Sequence, residues 1–103
     1  VISTHVLDTA RGLPAAGIKV TLSLRAGGDW SLVANAVTDI DGRVKEFGSA
    51  RIEPGDYRLQ FDTAAYSTFY PEVSVVFTVS DADAHHHVPL LLAPFGYSTY
   101  KGT

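Results

Sequence analysis

Apolar and polar residues alternate along most of this chain with a period of two, the signature of half-buried strands. Val1 to Leu7 alternates in this way and is rich in β-branched residues. Ile18, Val20, Leu22 and Leu24 then alternate with Lys19, Thr21, Ser23 and Arg25, the clearest strand pattern in the sequence. Ala26-Gly-Gly-Asp29 reads as a hairpin turn, because glycine supplies positive φ without steric cost. Trp30 to Thr38 is the return strand, with Trp30, Leu32, Ala34 and Ala36 expected on one side. Tyr57, Leu59 and Phe61 mark a further strand, as do Val73, Val75, Phe77 and Val79. His85 to Ala93 is expected to pair back after the turn Asp81-Ala-Asp83, and Tyr97 to Thr103 to close the chain after Pro94-Phe-Gly96.

Between these runs lie turns and loops: Thr9 to Gly17, Asp39-Ile-Asp-Gly42, Glu53-Pro-Gly-Asp56, and a loop from Ala64 to Pro71 with at most one helical turn. Phe47 to Ile52 reads as short and irregular. Seven or eight short strands without an amphipathic helix predict an all-β, antiparallel β-sandwich. At 103 residues the chain is expected to be one domain, spanning positions 1–103.

Composition narrows the function classes. The net charge is −3 and no basic run exists to neutralise phosphates, which argues against a nucleic-acid partner. No cysteine is present, so disulfides, thiolate catalysis and sulfur-ligated zinc drop out. No apolar stretch approaches the ~20 residues of a membrane span, so no membrane partner is expected. The opening VISTHVLD shows no signal-peptide pattern, which leaves the cytoplasm as the default compartment.

The polar residues that stand out are His5, Arg43 and the run His85-His86-His87. In a strand, His85 and His87 share one face and His86 points to the other. Three readings compete for that pair. Two imidazoles at i and i+2 with His5 as a third ligand would make a metal site. One histidine would serve a hydrolytic site as general base, its ordinary pKa lying near working pH. The third reading is a polar strand face beside a turn.

Four segments carry a resemblance: Ser3-Thr-His-Val-Leu-Asp8, Asp41-Gly-Arg43, His87-Val-Pro-Leu-Leu-Leu92 and the ending Tyr97-Ser-Thr-Tyr-Lys-Gly-Thr103. Together, and in this order, they resemble the 5-hydroxyisourate hydrolases, transthyretin-related enzymes of urate breakdown. The resemblance implies a transthyretin-like sandwich, a homotetramer with active sites where dimers meet, and a purine-derived substrate. It implies no metal and no organic cofactor. The residues it carries over are His5, Arg43, His87 and Thr103 as catalytic groups, with Tyr100, Lys101 and Gly102 binding substrate. His85 and His86 lie outside the motif and are read as supporting or solvent-facing.

On this reading His87 or His5 is the general base for water, and the other orients it or protonates the leaving nitrogen. Arg43 would pair with substrate carbonyls and developing negative charge. Thr103 offers a hydroxyl and, if it ends the chain, a carboxylate, and Tyr100 would pack on the purine. The family ending usually has arginine where Lys101 stands, so a bidentate contact there would be weakened. The stretch Thr63 to Glu72 is also shorter than the family loop, which usually carries a helix. The leading rival function is a transthyretin-like carrier of a hydrophobic ligand, which calls for an apolar, hydroxyl-lined channel. A surface-attachment module is a second rival, and it calls for exposed aromatic platforms.

Overall fold

Strand β1 (Ile2–Asp8) is the axis on which the architecture is built in the computed structural model, which describes residues 1–103. The other strands are β2 (Leu13–Pro14), β3 (Lys19–Ala26), β4 (Asp29–Val37), β5 (Arg43–Val44), β6 (Gly55–Asp62), β7 (Glu72–Val79), β8 (His86–His87), β9 (Leu90–Ala93) and β10 (Gly96–Thr99). One sheet is antiparallel throughout, in the order β4-β3-β6-β7. The other runs β10-β9-β1-β2, with β5 and β8 also paired to β1. There is no α-helix.

The alternation seen in sequence decides which side chains lie between the sheets. Val20, Leu22, Leu59, Phe61 and Val73 from one sheet meet Ile2, Val6, Val44, Val88 and Leu90 from the other in one buried apolar cluster. Each such side chain contributes on the order of 1.5–3 kcal/mol when fully removed from water. Thr4 and His86 also point inward, and both are hydrogen-bonded, as burial demands. Thr4 Oγ1 donates to Val88 O at 2.6 Å, and His86 Nδ1 lies 3.1 Å from Ala84 O. Ser3, His5 and Leu7, the alternate positions of β1, therefore face away from the core.

Two expectations change. Trp30, Leu32, Ala34 and Ala36 do not share a side. A β-bulge in the β3–β4 ladder sets Leu22 opposite Ala34 but Ser23 opposite Leu32, leaving Val33 as the extra residue. An extra residue inverts the alternation beyond it, so Ala34 and Ala36 face inward while Trp30 and Leu32 face solvent. His85 to Ala93 does not pair back on β7. It crosses to the other sheet and lies parallel to β1, matching Ile2 with His86, Ser3 with His87 and Val6 with Leu90. Proline has no N–H for the ladder, and Pro89 divides this segment into β8 and β9 without changing its register. Within Ala64 to Pro71, Tyr66 and Ser67 both donate backbone N–H groups to Thr63 O at 2.9 Å, one closed turn and no helix.

Candidate active site on the outer face of β1

Register brings the polar residues together. His5 is directly opposite Arg43 of β5, and two residues back along the same face Ser3 is directly beside His87 of β8. Gly42 makes the first pairing available. Its φ is +75°, and a Cβ there would collide with Val6 O, the carbonyl that accepts from Ala15 N. Asp39 closes the turn, its Oδ1 accepting from Arg43 N at 3.0 Å and Asp41 N at 2.9 Å. The hydrogen bond from Arg43 N is the main cause that holds the Asp39 carboxyl below its usual pKa, with Lys45 and Arg43 charges adding to it.

Each histidine is held at one nitrogen. His5 Nε2 is 2.8 Å from Asp41 O; a carbonyl only accepts, so this nitrogen carries the proton, and neutral His5 keeps its lone pair on Nδ1. His87 Nδ1 is 2.7 Å from Ser3 Oγ, which is also 2.7 Å from His85 Nε2. His87 Nε2 makes no hydrogen bond within the chain. The His87 pKa is lowered from 6.5, first by burial and then by the charges of Arg43, His85 and His5. Neutral imidazole is thus the resting form at pH 7.

A cavity of about 260 Å³ opens here, lined by Ser3, Thr4, Arg43, Val44, Lys45, His85 and His87. Its lining contains no carboxylate. The Arg43 guanidinium forms no ion pair or hydrogen bond inside the chain, so its donors are available to a ligand. No group of three or more His, Asp or Glu side chains converges in a metal-holding arrangement.

The C-terminal tail reaches the same place from the other side. Gly102 N donates to His87 O at 2.8 Å, and the two residues form an antiparallel bridge. A Cβ on Gly102 would lie 2.6 Å from His87 Cδ2 and 3.2 Å from Cγ, so glycine lets the tail close against the ring. Tyr100 and Lys101 line an adjoining groove that also includes His87, Phe77 and Thr99. Thr103 is exposed beyond the bridge. The structure thus gathers His5, Arg43, His87 and Gly102 closely and sets Tyr100 and Lys101 beside them. Sequence reasoning left out Ser3 as a site residue. The signal was the matched i, i+2 spacing of Ser3/His5 and His85/His87, which puts all four on one face once β1 and β8 pair.

A two-sheet β-sandwich with histidines and an arginine displayed on the outer face of one sheet defines the class: a transthyretin-type domain bearing a polar site. The chain matches the HIUase/Transthyretin family over residues 2–102 and belongs to it. It is 47% identical to the uric acid degradation bifunctional protein TTL of Arabidopsis thaliana, covering 99% of this chain but 37% of that protein. It is 42% identical to the 5-hydroxyisourate hydrolase of Mus musculus, over 99% of this chain and 94% of the mouse protein. Among solved structures, the 5-hydroxyisourate hydrolase of Klebsiella pneumoniae superposes with a TM-score of 0.85 at 35% identity, covering 99% and 98% of the two chains. A sea bream transthyretin in complex with thyroxine superposes with a TM-score of 0.89 at 30% identity, covering 99% and 94%. The backbone alone therefore does not separate a hydrolase from a carrier.

Proposed function

We infer that this chain is a 5-hydroxyisourate hydrolase, opening the cyclic amide of its purine-derived substrate by water attack on a ring carbonyl. The product is 2-oxo-4-hydroxy-4-carboxy-5-ureidoimidazoline. One observation carries this reading: the register of β1 with β5 and β8 sets His5, Arg43 and His87 on a single open face. A carrier of a hydrophobic ligand needs an apolar face there. This face instead presents an unpaired guanidinium and three imidazoles.

Water binds between the histidines, and His87 takes its proton at Nε2, the nitrogen left free by the Ser3 contact. Burial keeps that ring neutral, which is the form a general base requires. His5, pinned at Nε2 by Asp41 O, orients the water through Nδ1. Arg43 donates to the carbonyl oxygen as it gains negative charge, a contact worth more in the transition state than in the ground state. Tyr100 and Lys101 flank the substrate in the adjoining groove, Gly102 holds the tail against His87, and Thr103 completes the wall with its hydroxyl. A homotetramer with sites at the meeting of two dimers would supply the walls that one chain leaves open.

The test is the ultraviolet decay of freshly generated 5-hydroxyisourate with wild-type protein, His5→Ala and His87→Ala. We expect acceleration by the wild type and a loss of about 10²-fold or more in either variant. Decay at the buffer rate from folded wild-type protein would sink the hydrolase and favour the carrier.

A further inference from the structure

Ser3 takes no part in the chemistry above, yet its hydroxyl sits between two imidazoles at hydrogen-bond distance from both. It is also buried, at 5% exposure, whereas His85 is exposed and His87 is half-buried. A serine hydroxyl has one proton to donate and lone pairs to accept. With one ring on each side and both rings neutral, it donates to one nitrogen and accepts N–H from the other. The tautomers of His85 and His87 are thereby tied together.

We propose that Ser3 couples His87 to His85 as a two-histidine proton relay, so that His85 serves as the proton reservoir of the hydrolytic site. The inference rests on His87 acting in the reaction proposed above. In the arrangement ready to act as base, His87 Nδ1–H donates to Ser3 Oγ and Ser3 O–H donates to His85 Nε2. His87 Nε2 then has its lone pair toward the water. When water attacks, its proton goes to His87 Nε2. The Nδ1 proton passes to Ser3 Oγ, and the serine proton passes to His85 Nε2. His87 ends neutral with its proton on Nε2, and His85 carries the positive charge. His85 holds that charge, with a proton on each ring nitrogen, until the leaving nitrogen is protonated. His87 Nε2–H can then protonate the leaving nitrogen, and the same chain runs in reverse to restore the starting tautomers. No proton is gained or lost in the cycle beyond that of the water consumed.

The surroundings explain why a relay is useful. The groups facing His87 are His5 from β1, Arg43 from β5 with Lys45 beside it, His85 from the segment before β8, and Lys101 from the tail. All are basic. A lone His87 would have to hold an imidazolium against Arg43 in a partly buried position, which costs free energy. Passing the charge to an exposed ring avoids that state.

Three variants and a ring titration test this. Ser3→Ala removes the hydroxyl from a position too small to leave a damaging void, and we expect kcat to fall roughly 10–10²-fold with KM little changed. Ser3→Thr keeps the hydroxyl and should retain most of kcat. His85→Ala, at an exposed position, should lose about tenfold in kcat and recover as imidazole is added. By nitrogen-15 NMR, the His85 and His87 rings should titrate together in the wild type and independently in Ser3→Ala. Wild-type kcat in Ser3→Ala, a His85→Ala loss that imidazole leaves untouched, or identical ring titrations in wild type and Ser3→Ala would each overturn the relay. If the wild type itself leaves substrate decay at the buffer rate, the hydrolase reading fails, and the ring titrations still decide whether Ser3 couples the two histidines.

Discussion

The sandwich has two outer faces, both rich in basic groups, and they use them oppositely. On the β4-β3-β6-β7 sheet, Arg25 pairs with Asp56 at 3.3 Å and its guanidinium lies 4.7 Å from the Trp30 ring. Arg58 lies 4.6 Å from the same ring, and Asp56 also accepts from Thr78 Oγ1 at 2.8 Å. Arg25 is thus paired with a carboxylate within the chain, and Arg58 is held over the Trp30 ring. On the β1 sheet, the cavity lined by Arg43 and His87 has basic groups and no carboxylate in its wall, and the Arg43 guanidinium forms no ion pair. Charge that is matched internally stabilises a surface; charge left unmatched around a cavity is set for something that arrives from outside.

Substitutions on the two faces should therefore separate activity from stability. His87→Ala and Arg43→Ala should produce the largest effects, each lowering kcat/KM by about 10²-fold or more, while unfolding midpoints in urea stay near wild type. A large drop in midpoint would instead make these residues part of the scaffold. Arg43→Lys keeps the charge without the planar fork and should recover only part of the loss. Gly102→Ala comes next: the methyl group must displace the His87 ring, and we expect roughly tenfold lower kcat, with a moved imidazole visible by crystallography. An unmoved ring with full activity would show that the tail yields instead.

On the opposite face, Trp30→Ala should cost on the order of 1–2 kcal/mol by urea unfolding, from two lost cation–π contacts and apolar burial. Arg58 Nε, buried without an acceptor, would regain water and offset part of that cost. Hydrolysis should stay within about twofold of wild type; a collapse in rate would mean that the two faces are coupled. The smallest effect concerns pH. Because the His87 pKa is lowered, its neutral form is favoured by folding, so its stabilising contribution is present above 6.5 and is lost as pH falls through the folded value. The acid limb of kcat/KM should accordingly lie below 6.5. Arg43→Gln should raise the His87 midpoint while leaving it below 6.5, since burial is the larger cause; an unchanged midpoint would remove Arg43 from that set of causes.

Much of this was legible in the chain and some was not, for identifiable reasons. Strands β3, β6 and β7 follow directly from alternation, because a sheet with one buried face writes its period into the sequence. The bulge at Val33 leaves no such mark: Trp30, Leu32, Ala34 and Ala36 look like one face until the partner strand shows the extra residue. The parallel pairing of β8 and β9 with β1 was equally hidden, since turn residues such as Asp81 and Asp83 end a strand without naming the next partner. His5, Arg43 and His87 could be singled out by type and resemblance, but their convergence depends on that pairing. Ser3 looks like an ordinary polar position of a strand, and only the two imidazoles beside it give it a part.

The long reach of β1 also has a kinetic meaning. Ser3 bonds to residues 82 and 84 positions away, and no shorter loop brings those rings to it. Closing so large a loop costs entropy before any contact rewards it, which places such pairings late in folding and makes them slow. The β3–β4 hairpin can form from neighbours alone, whereas the histidine face exists only after both ends of the chain have met. A partly folded chain therefore has hairpins but no site, and recovery of activity on refolding should lag behind recovery of strand signal.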